Sequence, residues 1–175
     1  MAKAKKGNGG QDRPKDPAKR LRKLIKGARV VMLTTVAPDG RFRSRPMLPG
    51  AFEDGSMWFL TRVPSAKTAD IADNQRVNLA YSSPKNDRYV SISGAATILH
   101  DAARVKDLWE GEHKAWFAGG KNDPELAVLR VQVDQVEFWD GDSGRMVPLT
   151  GPFAEGAAPA PAAKGPAPVS PGALG

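Results

Sequence analysis

Two stretches of the sequence indicate the fold and the site most directly: Arg-Ser-Arg-Pro-Met at residues 43–47 and Phe-Leu-Thr-Arg-Val-Pro-Ser-Ala-Lys at residues 59–67. Alternate side chains of a β-strand point to the same face, so Arg43, Arg45 and Met47 are predicted to share one face. Guanidinium groups bind phosphate through paired hydrogen bonds, so a phosphate site is one interpretation of this strand. Ordinary surface cations on a half-exposed strand are the other interpretation.

The second stretch contains further groups that suit an anion. Ser65 is predicted to begin a helix, where its hydroxyl, the free backbone N–H groups and the helix dipole all favour negative charge. Lys67 adds a positive charge in the first turn of that helix. Thr61 and the backbone around Leu60 could hydrogen-bond the polar edge of a ring system.

The surrounding segments predict a mainly β (α+β) fold. Six segments have the apolar or β-branched pattern of strands, at residues 30–36, 41–47, 57–61, 77–82, 89–100 and 126–139. Helix signals mark residues 17–26, 65–73 and 102–110, and Asp123-Pro124-Glu125 is typical of a further helix start. Since βαβ units do not alternate and no GxGxxG motif follows the first strand, an antiparallel barrel with short helices is favoured over a Rossmann fold.

Composition limits the class of protein. A chain of 175 residues is long enough for one domain with a sizeable core. The absence of cysteine excludes disulfides, thiolate metal sites and a cysteine nucleophile. No apolar run approaches the roughly 18 residues of a membrane span, and the basic N-terminus lacks the apolar segment of a secretory signal. The expected location is therefore the cytoplasm.

The positive charge is concentrated at the N-terminus. The net charge is +7, and residues 1–26 hold ten Lys or Arg against two Asp, so the remainder is nearly neutral. Residues 1–15 are predicted to be a disordered basic tail, which could bind nucleic acid or simply be a solvated extension. Residues 151–175 contain 19 Ala, Pro or Gly, and residues 149–175 are predicted to be a second disordered tail. The predicted domain is residues 16–148.

Motifs for other chemistries are missing. No GxxxxGK[ST], HExxH or GxSxG motif occurs in the sequence. His100 and His113 lie near Glu110 and Glu112, but isolated histidines are more typical of surface or packing positions, so no metal site is predicted.

Residues 43–47 and 59–67 are also part of a longer pattern, from about residue 21 to residue 146, that resembles a known family. Its matching elements, in chain order, are Thr34-Thr35, Asp39-Gly40, Arg43-Ser44-Arg45-Pro46-Met47, Trp58-Phe59-Leu60-Thr61, Ser65, Lys67, Ile71-Ala72-Asp73-Asn74, Val77, Tyr89-Val90-Ser91-Ile92-Ser93-Gly94, Leu108-Trp109, Trp116-Phe117, Asp123-Pro124 and Glu137-Phe138-Trp139. By these elements the sequence resembles the pyridoxamine 5′-phosphate oxidase-like family of FMN-binding split barrels, in particular its general stress protein branch. The resemblance implies a six-stranded antiparallel split β-barrel and a homodimer whose two protomers share each cofactor.

The resemblance also implies a set of cofactor-binding residues, grouped by the part of FMN that each group would contact. The flavin and its ribityl chain would lie along Arg43, Ser44, Arg45, Pro46 and Met47. The isoalloxazine ring would meet Phe59, Leu60 and Thr61, and the phosphate would meet Ser65 and Lys67. The aromatic residues that would close the site of the other protomer are Trp116, Phe117 and Trp139.

Departures from the oxidases predict a function other than vitamin B6 oxidation. Leu48 stands where those enzymes have a lysine, and their Ser-Arg-Lys loop is Ser65-Ala66-Lys67 here. Their Arg-x-His motif corresponds to Arg145-Met146-Val147, which lacks the histidine. A second phosphorylated substrate would therefore meet fewer cations.

Three functions remain open at this stage. A flavin protein for redox or stress response, with a small-molecule electron donor or acceptor, is the first. The second is a reductase of a small organic substrate that uses FMN or the deazaflavin coenzyme. The third is a nucleic-acid-associated protein that binds through its basic tail. No histidine or carboxylate falls inside the motifs that would contact the cofactor, so no catalytic residue is predicted.

Overall fold

The computed structural model describes residues 16–153, so the predicted tail at residues 1–15 and most of that at residues 149–175 lie outside the described residues. The strands are β1 (Val31–Val36), β2 (Phe42–Met47), β3 (Phe52–Glu53), β4 (Ser56–Arg62), β5 (Arg76–Ser83), β6 (Arg88–Leu99), β7 (Leu126–Asp140) and β8 (Arg145–Leu149). The α-helices are α1 (Pro17–Ile25), α2 (Ala66–Asp73) and α3 (Ala102–Leu108). Short 3₁₀ helices span Pro84–Asn86, Gly111–Ala115 and Gly120–Asn122.

All eight strands belong to one antiparallel sheet: seven follow the order β2-β1-β5-β6-β7-β4-β3, and β8 pairs with β7 outside that order. β7 is long enough to pair with β4 along its first half and with β8 along its second half. Met47 on β2 and Phe59 on β4 belong to one buried cluster, although four strands separate β2 from β4 in the sheet. The sheet therefore curls around its core without closing, which confirms the predicted split-barrel architecture.

The structure has eight strands where the sequence predicted six. β3 is a two-residue strand joined to β4 by Asp54 and Gly55, which both have positive φ, as a tight hairpin turn requires. β8 follows the last predicted strand and pairs back onto it. Leu149 and Phe153 are buried in the core as well.

The helix start predicted at Asp123-Pro124-Glu125 is wrong. The Asp123 side chain accepts a hydrogen bond from the Glu125 backbone N–H at 2.9 Å, and the Leu126 N–H donates to the Asp123 carbonyl at 3.0 Å. These bonds close a turn that enters β7 directly. The same Asp-Pro sequence suits a turn as well as a helix start, and the register of β7 with β4 selects the turn.

The strand face predicted for β2 is confirmed by the pairing of β1 with β2. Arg43 lies opposite Thr35, Arg45 opposite Leu33, and Met47 opposite Val31. The three β1 residues are buried, so all six side chains lie on the concave side of the sheet. Ser44 and Pro46 lie on the convex side.

No helix among residues 16–153 is long and apolar enough to cross a membrane.

Candidate functional site

A cavity of about 350 Å³ opens beside the end of β2, the end of β4 and the first turn of α2. Its walls are formed by Arg45, Pro46, Met47, Leu48, Leu60, Thr61, Arg62, Lys67, Trp116 and Phe117. Its volume is in the range of small-molecule sites. Eight of the thirteen predicted cofactor-binding residues line it.

Arg45 and Lys67 make one wall of the cavity positive. Burial lowers the pKa of Lys67 below its usual value, and the nearby Arg45 guanidinium lowers it further. Both causes disfavour the charged ammonium while no anion is bound. A bound anion would offset the repulsion between the two cations and would favour the charged form.

A buried carboxylate lies behind this wall. Asp70 on α2 is 1% exposed, and its oxygens accept hydrogen bonds from the Thr35 hydroxyl at 2.7 Å, from Arg43 at 3.2 Å and from Arg45 at 3.4 Å. Arg45 also donates to the Thr35 hydroxyl at 2.6 Å. Arg43 is thus joined to the cavity wall through Asp70 but does not itself line the cavity.

The start of α2 is built by a reciprocal cap. The Ser65 hydroxyl accepts from the Thr68 N–H at 3.4 Å, and the Thr68 hydroxyl accepts from the Ser65 N–H at 3.0 Å. The Lys67 ammonium lies 3.4 Å from the Ser65 hydroxyl. Within the described part of the chain, the backbone N–H groups of Ala66 and Lys67 make no hydrogen bond, as is usual in a first helical turn.

Three neighbouring residues of β4 have different surroundings. Phe59 is fully buried in the barrel core, whereas Leu60 lines the cavity and packs with α3. Thr61 is 1% exposed and lines the cavity, and its hydroxyl has no hydrogen-bond partner among residues 16–153. A buried hydroxyl without a partner is costly, so a polar atom of a bound molecule would satisfy it.

Aromatic side chains form another part of the cavity wall. Trp116 is 51% exposed, and Phe117 packs against Trp109 with ring centroids 6.3 Å apart. His113 is buried between Trp109 and Phe117, and its Nδ1 accepts from the Glu110 backbone N–H at 2.9 Å. The histidine therefore supports the aromatic wall by packing. The exposed indole of Trp116 offers a surface on which a planar ring can stack.

The rim of the cavity includes an ion-pair cluster. Arg62 lies 3.4 Å from Asp123 and 3.5 Å from Glu125, and these contacts join β4 to the turn before β7. Sequence reasoning missed Arg62, Leu48 and Asp70 as parts of the site. The one local signal for Asp70 is its position three residues after Lys67, on the same side of α2.

The predicted residues Ser44, Ser65 and Trp139 do not line the cavity. Ser44 is on the convex side, where its hydroxyl lies 2.7 Å from that of Thr34. Trp139 is near the far end of β7. It is twelve residues beyond Ala127, which pairs with Thr61, and twelve residues of a strand span roughly 40 Å. Trp116 and Phe117, by contrast, line the cavity of their own chain.

An open, curled antiparallel barrel with this cavity at one end defines the class, which is that of the split β-barrel proteins. The chain belongs to the pyridoxamine 5′-phosphate oxidase like family, whose family model matches residues 16–153.

Individual relatives agree with this assignment. The Neurospora crassa protein bli-3 is 30% identical over an alignment of 113 residues, and this match covers 59% of this chain and 54% of that protein. General stress protein 26 of Bacillus subtilis is 28% identical over an alignment of 103 residues, and this match covers 57% of this chain and 71% of that protein. The match thus spans only about half of the length of bli-3. The structure of a general stress FMN/FAD binding protein of Xanthomonas citri is similar with a TM-score of 0.59 and 36% identity, covering 70% of this chain and 87% of that chain.

Proposed function

We propose that this chain is an FMN-binding protein of the general stress type, which uses the flavin in redox chemistry or a stress response rather than in vitamin B6 oxidation. The observation that supports this most is the composition of the cavity wall. Cations, a buried hydroxyl without a partner and an exposed indole surround one space, and FMN presents a phosphate, a polar ring edge and a flat ring system to match them.

The phosphate end of FMN fits the cationic wall. Lys67 and Arg45 line the cavity, and the free N–H groups of Ala66 and Lys67 are at the start of the same helix. Counting Arg43, Arg45 and Lys67 against Asp70 leaves two positive charges in excess. This excess matches the charge of a phosphomonoester at neutral pH, which is between about −1.5 and −2.

The ring end of FMN fits the aromatic and apolar part of the cavity wall. Trp116 and Phe117 offer aromatic surface, Met47 offers a thioether, and the Thr61 hydroxyl offers a hydrogen bond to a ring heteroatom. The X. citri relative, whose name states FMN/FAD binding, supports a flavin at this site. The bound flavin would supply the electron chemistry, and the chain would bind and orient it.

The residues around the cavity disfavour the oxidation of phosphorylated B6 vitamers and favour another use of the flavin. Leu48 lines the cavity, so an apolar side chain occupies the wall at the position where the oxidases have a lysine. Arg145 is on β8, which pairs with the second half of β7, whereas β4 and the cavity are at the first half. The described residues that line the cavity include no carboxylate and no imidazole to move a substrate proton.

The experiment that tests the proposal is the visible absorption spectrum of the purified full-length protein, with mass identification of the molecule released by heat. A flavin band with FMN in the supernatant is the expected result. Colourless protein is then titrated with FMN, riboflavin and the deazaflavin coenzyme. Binding of the deazaflavin coenzyme alone would favour the reductase alternative, and no binding of any of them would refute the proposal.

We also propose that two copies of the chain assemble through the convex side of β1 and β2. Phe42 is 78% exposed and Met32 is 39% exposed, and both apolar side chains are on this side of the paired strands. Trp139, remote from the cavity of its own chain, would be available to the site of the partner in such a dimer. Sedimentation of wild type and Phe42→Ser tests the assembly: the dimer is expected for wild type and a monomer for the variant, and a monomeric wild type would refute it.

A further inference from the structure

We infer that Asp70 is a positioning residue for the anion site, because its buried carboxylate holds the Arg45 guanidinium in place behind the cavity wall. This inference rests on the proposed function, since the anion in question is the phosphate of the cofactor. Asp70 does not line the cavity, so its effect on binding would pass through Arg45.

The geometry directs Arg45 from two sides. One terminal nitrogen of Arg45 donates to Asp70 at 3.4 Å, and the other donates to the Thr35 hydroxyl at 2.6 Å and to the Leu33 carbonyl at 3.4 Å. The Thr35 hydroxyl in turn donates its single proton to Asp70 at 2.7 Å. These bonds use part of the five N–H donors of a guanidinium and leave the others for a ligand.

Fixing Arg45 before binding has a clear advantage. An arginine side chain has many rotamers, and ordering it at the moment of binding would reduce affinity. The Arg45 side chain is 20% exposed and that of Arg43 is 44% exposed, whereas Asp70 is 1% exposed. The buried carboxylate of Asp70 therefore anchors Arg43 and Arg45, whose side chains are more exposed than its own.

The positioning role and the simple charge of Asp70 predict opposite results. If only charge matters, removing the negative charge leaves more positive charge near the cavity and tightens anion binding. If Asp70 positions Arg45, its removal frees the guanidinium and weakens binding. The sign of the change in affinity therefore distinguishes the two roles.

The test compares Asp70→Asn with Asp73→Asn in the full-length protein, by titration with FMN and riboflavin. Asp73 is exposed on the same helix and makes no ion pair among the described residues, so its variant is a control for the loss of one charge. We expect Asp70→Asn to weaken FMN binding by roughly 5- to 30-fold. Riboflavin binding to Asp70→Asn is expected to stay within about twofold of wild type, and so is FMN binding to Asp73→Asn.

Equal or tighter FMN binding by Asp70→Asn would overturn the inference, and so would an equal loss of riboflavin binding. If wild type binds no flavin, the proposed function fails. Inorganic phosphate then becomes the probe, and its binding is measured by the amide NMR shifts of Ala66 and Lys67. Weaker phosphate binding by Asp70→Asn would then support the inference, and unchanged or undetectable binding in both proteins would overturn it.

A second variant covers the case in which Asp70→Asn does not fold, as judged by circular dichroism. Thr35→Val removes the hydroxyl between Arg45 and Asp70 without changing any charge. We expect it to weaken FMN binding, or phosphate binding if flavin does not bind, while riboflavin binding is unchanged. Wild-type affinity for the anion in this variant would overturn the inference.

Discussion

Thr35 and Thr61 are equally buried, at 0% and 1% exposure, but only the hydroxyl of Thr35 has hydrogen-bond partners among residues 16–153. Thr35 connects Asp70 to Arg45, whereas Thr61 lines the cavity. One hydroxyl therefore joins a hydrogen-bond network, and the other is buried beside the cavity without a partner among these residues.

Replacing each threonine by valine is expected to separate stability from binding. Thr61→Val removes an unsatisfied buried hydroxyl, so the ligand-free protein should keep its stability or gain up to about 1 kcal/mol. Thr35→Val leaves Asp70 without one donor and should lose about 1–3 kcal/mol. Urea unfolding of the flavin-free proteins measures both changes. FMN and riboflavin affinity should both fall in Thr61→Val, and a stability loss in that variant above 1 kcal/mol would contradict the prediction.

The affinity for FMN is expected to fall as the pH rises from neutral toward 10. Burial and Arg45 lower the pKa of Lys67, so its ammonium loses its proton, and its attraction for phosphate, below the usual pH for lysine. The unfolded chain retains that proton up to a pH near 10.4, so the stability of the flavin-free protein should rise across the same window. Fluorescence titrations at a series of pH values measure the affinity.

Lys67→Arg is the control for the pH profile. Arginine stays charged throughout this range, so the decline in FMN affinity should disappear or move to higher pH. Riboflavin, which has no phosphate, should show no dependence on Lys67. A decline of the same size in wild type and Lys67→Arg would assign the pH dependence to another group.

Trp116→Ala is expected to weaken the binding of FMN and riboflavin alike. The lost stacking should cost about 0.5–1.5 kcal/mol, while the free energy of unfolding should change by less than about 0.5 kcal/mol because the indole is 51% exposed. Titration and chemical unfolding give the two values. Trp139→Ala is the comparison. If this variant loses flavin affinity, and loses it only when the protein is a dimer, the indole of the partner contributes to the site.

Gly94→Ala is expected to destabilise the barrel by more than about 2 kcal/mol. A Cβ at Gly94 would lie 2.1 Å from the Gln132 carbonyl oxygen, where the register of β6 with β7 shifts, and the backbone there cannot move aside cheaply. Gly111→Ala is the matched control, because a Cβ there meets nothing within 4 Å. Thermal unfolding measures both variants, and equal melting temperatures for the two would refute the steric explanation.

Local patterns were sufficient for those parts of the protein that depend on neighbours in sequence. The two-residue period placed Arg43, Arg45 and Met47 on one face, because side chains of any strand alternate. Ser65 begins α2 and Asp16 caps α1, since a helix start needs acceptors for its own free N–H groups.

Only the tertiary structure decided which distant residues meet. Asp70 is 27 residues from Arg43 and 35 from Thr35, and nothing in its local sequence requires a buried carboxylate. Trp116 lines the cavity of its own chain and Trp139 does not, because Trp139 lies near the far end of the 15-residue strand β7. The sequence by itself determined six of the eight strands, the starts of α1 and α2, and the cationic face. The curl of the sheet, which depends on packing across the whole core, decided which of those groups share one cavity.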